Sequence, residues 1–394
     1  MVKMIKVEEL IPSLYVIDVS NTWNKYLSLN RKSYICNEEL VRIFRQSGME
    51  KIYVDTAKSK VVLDEIKPAV VPKAKISFQE EFKKSELIYT QAKSAVTEIL
   101  TDIKQGNKQV INKANDTVLS IIDGILLNKY VLVGLGLMRQ KSSYIFEHAV
   151  SSCVQMIAFA AEYGFDKDKQ IELGVGAMLQ DIGMLNIPSQ ILNKPGRLSS
   201  RDEMEIRKHV DYGCSILEDI PGIAESTLLM SGEHHERLNG SGYPNSKKND
   251  EISKVGKMAA IVDVYNAVTT DRGYKKGLSP SIALADILSR AKNHFDAELV
   301  QTFIKAIGIY PFGTLLSLTN SLIGLVVNPN NDDLLHPGLL IIYNPIQGGL
   351  IKPYSLRLVN HQDDPRYRIS RVVAKEELLL RQEDIYKMVS ATSF

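Results

Sequence analysis

The sequence predicts a mainly α-helical fold with a small α+β module at its N-terminus and a β appendage at its C-terminus. Apolar residues recur with helical spacing from about residue 77 to 310. Short apolar runs separated by turn residues replace this pattern at both ends of the chain. A chain of 394 residues is too long for one compact domain, so two or three domains are expected.

The first 60 residues have the pattern of the small α+β module. Alternating apolar residues predict strands, and an apolar repeat that ends before Gly48 predicts one helix. The predicted strands cover residues 4–7, 14–19 and 51–55, and the helix covers residues 38–46. Residues 61–76 are rich in lysine, valine and proline, which predicts a linker.

A charged helical hairpin over residues 77–139 is predicted to lead into the core, with its turn at Gly106-Asn107. Within it lies the most apolar run of the chain, Ile121–Met138, which Asp123 and two further polar residues interrupt. These interruptions favour a buried helix followed by a turn over a membrane span.

The helical core is predicted over residues 140–312. Its helices are expected at residues 143–162, 169–181, 200–217, 224–237, 254–270, 279–292 and 297–307. The pattern then changes to short strands at residues 315–318, 323–327 and 339–343, followed by a polar helix near residues 375–388. Residues 313–394 are therefore predicted to form the β appendage and a tail.

Composition and charge exclude several classes of protein. Hydrophobic residues make up 44% of the chain and charged residues 24%, as in an ordinary soluble protein, and a net charge of +2 gives no sign of a DNA-coating surface. Cys36, Cys153 and Cys214 lack paired spacing, which argues against a disulfide framework and a thiolate zinc site. The N-terminus lacks the apolar segment of a secretory signal. We therefore predict a cytoplasmic protein without DNA or membrane partners.

The most informative stretch is Gly232–Pro244, which reads Gly-Glu-His-His-Glu-Arg-Leu-Asn-Gly-Ser-Gly-Tyr-Pro. In a helix, neighbouring side chains diverge by about 100°, so His234 and His235 share a target only if it lies between their directions. A metal cluster is such a target. Two adjacent histidines alone fit equally a polar helix end that runs into a loop, but the glycine-rich turn that follows favours the metal cluster.

Further candidate ligands are scattered along the predicted helices. His148, Asp181 and His209 could each have a purely structural role. A lone histidine on a helix, or an acid at a helix end, more often forms an ordinary hydrogen bond than binds a metal. Asp263 is harder to explain in this way, because its predicted helix is otherwise apolar. A buried carboxylate is costly unless it is paired or bound to a metal.

The order and spacing of these residues resemble the HD-GYP family of metal-dependent phosphohydrolases over about residues 140–345. The segments Asp263–Ala267, Thr270–Tyr274 and Tyr310–Gly313 are similar to other parts of that family's pattern. The N-terminal module resembles the small domain of unknown function that often precedes such cores. The resemblance implies an HD-domain helical bundle that hydrolyses cyclic di-GMP or a related cyclic dinucleotide in bacterial second-messenger signalling.

The resemblance also implies roles for individual residues. Its metal ligands, for one or two ions of iron(II) or manganese(II), would be His148, Asp181, His209, His234, His235 and Asp263. Asp181 would bridge the metals, and Asp181 and Arg237 would take part in catalysis. The substrate would contact Arg237, Gly240, Gly242, Tyr243, Pro244 and Arg272.

Three positions depart from the family pattern. Gln180 stands where a histidine ligand is expected, and Met184 stands where a lysine would lie near the phosphate. Family members with a third metal have a glutamate one turn before the first histidine, and Tyr144 occupies that position here. Glu147, directly before His148, is expected to point away from the metals. The sequence thus predicts a site with one well-formed metal position, a weakened second one and no third.

Two functional hypotheses remain open from the sequence. In the first, which we favour, the chain is a cyclic dinucleotide phosphodiesterase, supported by the intact Gly232–Pro244 motif. In the second, it is a catalytically impaired receptor for a cyclic dinucleotide or an interaction module, supported by Gln180 and Met184. In both, the helical hairpin is a candidate surface for a homodimer or a signalling partner.

Overall fold

The structure is a computed structural model in which the chain forms two compact units, Met1–Ile76 and Ser77–Phe394. It describes residues 2–17, 33–36, 38–46, 51–55, 58–59, 77–138, 144–194, 196–270, 277–328, 333–378, 380, 384 and 387–389. The two units are presented separately below. The five segments predicted from the sequence stay a prediction.

The first unit is the α+β module. Its strands β1 (Val2–Lys6), β2 (Tyr15–Ile17), β3 (Ser33–Ile35) and β4 (Lys51–Asp55) form an antiparallel sheet in the order β1-β4-β2-β3. Helix α1 (Glu38–Gln46) buries Phe44 in the same core as Leu14 and Val54. The first predicted strand was wrong by two residues at its start and by one at its end, where Val7 already belongs to a 3-10 turn. Strand β3 was not predicted.

The second unit begins with the helical hairpin, formed by α2 (Phe78–Lys104) and α3 (Ile111–Met138). Ser77 caps α2: its hydroxyl accepts from the Glu80 amide, and the Glu80 carboxylate accepts from the Ser77 amide. The predicted turn after the apolar helix was wrong, because α3 resumes after a single non-helical residue, Asn128. The Asn128 side chain accepts from the Val131 amide and so caps the second segment.

Helix α3 is also apolar and long enough to cross a membrane, as judged over Ile111–Leu137. Within the part of the chain that the structure describes, it is the one helix with this property, and 56% of the apolar window is buried inside the protein. Its glycines allow close packing: a Cβ at Gly134 would lie 2.4 Å from the Phe312 ring, and one at Gly136 would lie 3.0 Å from the Ser151 hydroxyl. The apolar composition of α3 is thus largely used in helix packing.

The core of the second unit is built around a buried helix. This helix, α4 (Tyr144–Tyr163), packs against α3 and against helices from later in the chain. The later helices are α5 (Lys167–Leu179), α6 (Ser189–Leu192), α7 (Ser200–Arg207), α8 (His209–Glu218), α9 (Glu225–Glu233), α10 (Lys254–Thr269), α11 (Pro280–Ser289) and α12 (Ala297–Ile307). The predicted mainly helical fold is therefore confirmed.

Several helix ends differ from the prediction in ways that shape the site. The predicted helix over residues 200–217 is two helices that meet at Lys208, so that His209 begins α8. The predicted helix over residues 224–237 ends at Glu233, and His234 and His235 follow its end. Helix α5 ends at Leu179, which places Gln180 and Asp181 in the next turn. Four of the six candidate ligands, Asp181, His209, His234 and His235, therefore lie at helix ends.

A C-terminal antiparallel sheet completes the unit, with strands in the order β8-β7-β6-β5-β9. Its strands are β5 (Leu315–Leu318), β6 (Ile323–Asn328), β7 (Gly338–Asn344), β8 (Gly349–Arg357) and β9 (Ile369–Val373). The sequence did not predict β8 and β9, because β8 is mostly exposed and contains Pro353, which is typical of an edge strand. The predicted polar helix near residues 375–388 was wrong at its start, where Lys375–Leu378 is a 3-10 turn.

Candidate metal centre

The candidate ligands come together from separate elements of the helical core. His148 lies in the second turn of α4, Asp181 follows α5, and His209 is the first residue of α8. His234 and His235 follow α9, and Asp263 lies in the middle of α10. The packing of α9 against α5, α8 and α10 brings these positions to one side-chain cluster, although 115 positions separate the first and last in sequence.

Asp181 is at the centre of this cluster. Its Oδ2 lies 3.1 Å from His148 Nε2, and its Oδ1 lies 3.4 Å from His209 Nε2 and 3.5 Å from His234 Nε2. The side chains form two groups that share Asp181, and within each group the ligand atoms lie within 4.8 Å of one another. One group is Asp181, His209, His234 and His235, and the other is His148, Asp181 and Asp263. This sharing is the geometry expected of a bridging carboxylate.

Hydrogen bonds orient two of the imidazoles. His209 Nδ1 donates to the Ile206 carbonyl at 2.7 Å, and His234 Nδ1 donates to the Ser231 carbonyl at 2.8 Å. These bonds fix the ring orientations, and the Nε2 atom of each ring faces Asp181. The two Nε2 atoms lie only 3.3 Å apart. Two lone pairs at this distance repel unless a cation or a proton lies between them, so the donor set fits a metal ion.

Burial and mutual charge shift the pKa values of the cluster. Burial alone would raise the pKa of Asp181, but hydrogen bonds from His148, His209 and His234 hold it well below its usual value. Burial likewise opposes ionisation of Asp263, and its bond to His148 outweighs this and lowers the pKa. Burial lowers the pKa of His235, and the charge of His234 lowers it further. Carboxylates that stay ionised beside a neutral imidazole are suited to bind a divalent cation.

Gln180 lies beside this cluster but is held only through its backbone. Its carbonyl accepts from the Ser231 hydroxyl at 3.0 Å. Its side chain is 1% exposed, and neither amide atom has a hydrogen-bond partner among the described residues. Met184 lies in the 3-10 turn Ile182–Asn186 that follows. An uncharged amide and a thioether therefore occupy the two divergent positions of the sequence.

Glu147 is not available as a ligand for a third metal. This carboxylate forms an ion pair with Lys93 of the hairpin helix α2. The side chain of Tyr144 lies outside the described part of the structure. The ion pair accounts for Glu147 as a contact between α2 and α4.

The loop after the two histidines, residues 239–248 and here called the GYP loop, covers the cluster. The Tyr243 ring stacks on the His235 imidazole, with centroids 4.5 Å apart and an interplanar angle of 25°. A Cβ at Gly242 would lie 2.5 Å from the His235 carbonyl oxygen, so only glycine permits this approach of the backbone. Gly240 has φ +78°, a conformation that also favours glycine, and the Tyr243-Pro244 peptide bond is cis. These residues hold the tyrosine over the cluster.

Two buried carboxylates that the sequence analysis missed anchor the GYP loop. Glu236 is 1% exposed and accepts from the amides of Asn245 at 2.7 Å and Lys247 at 3.0 Å. Glu233 is 3% exposed and accepts from Lys247 Nζ at 2.6 Å and from the Ser253 amide at 2.9 Å. The sequence feature that could have indicated these anchors is a pair of acids three positions apart, directly before a glycine-rich loop whose backbone amides need acceptors.

The structure describes one of the two arginines that were predicted to contact the substrate. Arg237 Nη1 donates to the carbonyls of His234 at 3.0 Å and Glu236 at 2.7 Å, and its guanidinium lies 5.4 Å from the Phe295 ring centroid. Its Nη1 atom therefore contacts the backbone after α9, and its predicted roles in catalysis and substrate binding stay a prediction. Arg272 lies outside the described residues. Arg207, which the sequence analysis did not single out, lies 4.8 Å from the Tyr243 ring centroid.

Comparisons with known proteins agree with this site. Residues 136–299 match the family model described as HD domain, and residues 2–114 match that described as a domain of unknown function, DUF3391. A cyclic di-GMP phosphodiesterase of Pseudomonas aeruginosa is 29% identical over 87% of this chain and 86% of its own length. A 3'3'-cGAMP-specific phosphodiesterase of Vibrio cholerae is 30% identical over 39% of this chain and 30% of its own length.

A solved structure also resembles the chain. It is an HDG"Y"P protein from Bdellovibrio bacteriovorus, with a TM-score of 0.48 and 17% identity over 77% of this chain and 98% of that one. Fold, cluster and family matches together define a helical metal-site protein of the HD class. The chain carries an HD domain, and a DUF3391 domain precedes it.

Proposed function

We propose that the chain is a metal-dependent phosphodiesterase that hydrolyses cyclic di-GMP or a related cyclic dinucleotide. The observation that carries this proposal is the pair of side-chain groups that share Asp181. The names of the relatives support the substrate class, since they include cyclic di-GMP and 3'3'-cGAMP phosphodiesterases. No finding among the comparisons favours the impaired receptor.

The residues present fit divalent metal ions, and we propose iron(II) or manganese(II). Imidazoles combined with carboxylate oxygens, and the absence of thiolates from both groups as described, suit these ions. The first position would be held by Asp181, His209, His234 and His235, and the second by His148, Asp181 and Asp263. Bound ions of this kind activate water and neutralise charge on a phosphodiester.

The protein groups around the site prepare it for an anionic substrate. The depressed pKa values of Asp181 and Asp263 keep both carboxylates ionised at neutral pH, so both would be able to hold a divalent cation. Burial raises the pKa of Tyr243, which keeps its hydroxyl protonated and able to donate a hydrogen bond. The Tyr243 ring excludes water from one face of His235. We propose that Tyr243, with Gly240, Gly242 and Pro244 of its loop, contacts the substrate.

The two metal positions are proposed to differ in strength. The first has three imidazoles beside Asp181, whereas the second has one imidazole and two carboxylates. The family histidine that would complete the second is Gln180, whose neutral amide is a weaker ligand. Slow turnover follows if both ions are needed in the reaction.

The test is hydrolysis of cyclic di-GMP by the purified chain with manganese(II), or with iron(II) without oxygen. We expect linear products from the unmodified protein and none from His234→Ala. The matched control is His361→Ala, because His361 belongs to the C-terminal region and not to either ligand group. Binding without cleavage by the unmodified protein, together with cleavage by Gln180→His/Met184→Lys, would establish the receptor instead.

A cytoplasmic location and signalling through the hairpin stay proposals. The free cysteines Cys36 and Cys153 are buried, and burial raises the pKa of Cys36 to about 12, as suits structural thiols in a reducing compartment. Leu87 and Leu126 of the hairpin are 57% and 71% exposed, which supports a contact surface there for a second copy or a partner.

A further inference from the structure

Arg207 lies at the outer end of a stack that leads to the candidate metal centre. It is the last residue of α7, and its guanidinium carbon is 4.8 Å from the centroid of the Tyr243 ring. The opposite neighbour of Tyr243 is His235, with centroids 4.5 Å apart. The order Arg207, Tyr243, His235 therefore runs from an exposed cation to a candidate ligand.

The charge of Arg207 is available to a ligand. The side chain is exposed, and no carboxylate of the described residues lies within ion-pair distance of it. The next residue, Lys208, by contrast forms an ion pair with Glu205 at 2.6 Å. Arg237 differs as well, because it donates to two backbone carbonyls. A guanidinium that contacts an aromatic ring and has no carboxylate partner still has N–H donors that a phosphate can accept.

Arg207 is also close in sequence to the segment that contacts the turn containing Met184. The 3-10 turn containing Met184 packs on the first turn of α8, where a Cβ at Gly183 would lie 1.9 Å from the His209 carbonyl oxygen. Arg207 precedes His209 by two residues. Met184 and Arg207 thus flank the same contact between two segments. Arg207 is thus a cation two residues from the segment on which the Met184 turn packs.

We propose that Arg207 binds a phosphate of the cyclic dinucleotide and, in this chain, supplies the positive charge that Met184 does not. This assignment rests on the proposed function. The ligand phosphate accepts hydrogen bonds from the guanidinium at the edge of the Tyr243 ring, and this contact orients the dinucleotide toward the ligand cluster. In this assignment Arg207 is a substrate-binding residue.

The test compares Arg207→Gln with Arg201→Gln, a matched control at an exposed position of the same helix. We expect Arg207→Gln to raise KM for cyclic di-GMP by about tenfold, the effect of losing one charged hydrogen-bonding contact, while kcat changes little. The slope of log KM against log salt concentration should become shallower only in Arg207→Gln, since one phosphate contact is gone. Arg207→Lys should recover part of the loss, and Met184→Lys in the Arg207→Gln chain should recover more.

The alternatives give different results. Equal KM and equal salt dependence in Arg207→Gln and Arg201→Gln would overturn the assignment. A lower kcat with unchanged KM and salt slope would instead show that Arg207 only holds Tyr243 in place. An unmodified protein that neither binds nor cleaves cyclic di-GMP would overturn the proposed function and this assignment with it. Unfolding midpoints of all variants, measured in parallel, exclude loss of the fold as the cause.

Discussion

At the scale of single residues, Gln180 has the largest expected effect on metal binding. Its buried amide has no partner among the described residues, which is costly for a group with two donors and an acceptor. We predict that Gln180→His adds an imidazole to the group of His148, Asp181 and Asp263 and raises the bound manganese from about one ion per chain to about two. Elemental analysis after gel filtration measures this ratio.

The matched control for this substitution is Gln155→His. Gln155 is also 1% exposed with no partner for its amide among the described residues, and it lies on the same helix as His148. The two are seven positions apart, or about 10 Å along the helix, so an imidazole there should not add an ion. Two ions in the unmodified protein would contradict the proposed weakness of the second position.

At the scale of elements, the GYP loop depends on Glu236. Its two carboxylate oxygens accept from two loop amides, and a neutral glutamine offers only one acceptor oxygen. We predict that Glu236→Gln leaves a buried amide unsatisfied, lowers the free energy of unfolding by about 1–3 kcal/mol and raises KM more than it lowers kcat. Steady-state kinetics and denaturant unfolding measure these effects. Unchanged KM with the expected loss of stability would show that the loop does not position the substrate.

Helix α9, which leads into the two histidines, is joined to α5 by Glu172. Its carboxylate pairs with Lys169 at 2.8 Å and accepts from the buried Ser226 hydroxyl. Burial would raise the pKa of Glu172, but these two bonds outweigh it and lower the pKa. A lowered pKa contributes stability above the unfolded value of about 4.3, and this contribution is lost as the pH falls through the folded value.

We therefore predict that Glu172→Gln costs about 1 kcal/mol of unfolding free energy at pH 7, because the pair is partly exposed to solvent. The difference from the unmodified protein should shrink as the pH falls below about 4. Urea unfolding at several pH values measures it. Ser226→Ala in both backgrounds gives a coupling energy, and a value of zero would remove Ser226 from the explanation.

Elements with a strong local pattern were predicted closely. Helices α1 and α12 and strand β5 begin and end where the sequence placed them, because capping residues and apolar spacing act locally. The broken helix at Lys208 and the ends of α5 and α9 were not predicted, because tertiary contacts decide them. Likewise, the family resemblance pointed to the six clustered ligand candidates, whereas the contact of Arg207 with Tyr243 joins positions far apart in sequence.

At the scale of the whole molecule, the family matches and the compact units divide the chain differently. The DUF3391 match covers residues 2–114, whereas the first compact unit ends at Ile76. The reason is helix α2, which packs closely against α3 and also contacts α4 in the second unit. The hairpin therefore belongs structurally with the HD core. Lys93 of α2 is paired with Glu147, one residue before the candidate ligand His148.

The candidate ligands all belong to the second unit, so metal binding should stabilise that unit selectively. At 100 times the dissociation constant, a ligand that binds only the folded state adds about 2.7 kcal/mol of stability. We predict that manganese(II) slows amide hydrogen exchange in α4, α8, α9 and α10. Exchange in β1, β2 and β4 should have the same rate with manganese(II) as with a chelator. Mass spectrometry of the intact chain, digested after exchange, measures both units in one sample. Asp181→Asn should remove most of the effect, because Asp181 belongs to both ligand groups. Equal protection in the α+β module would show that metal binding is coupled to both units, and no protection anywhere would contradict the metal centre itself.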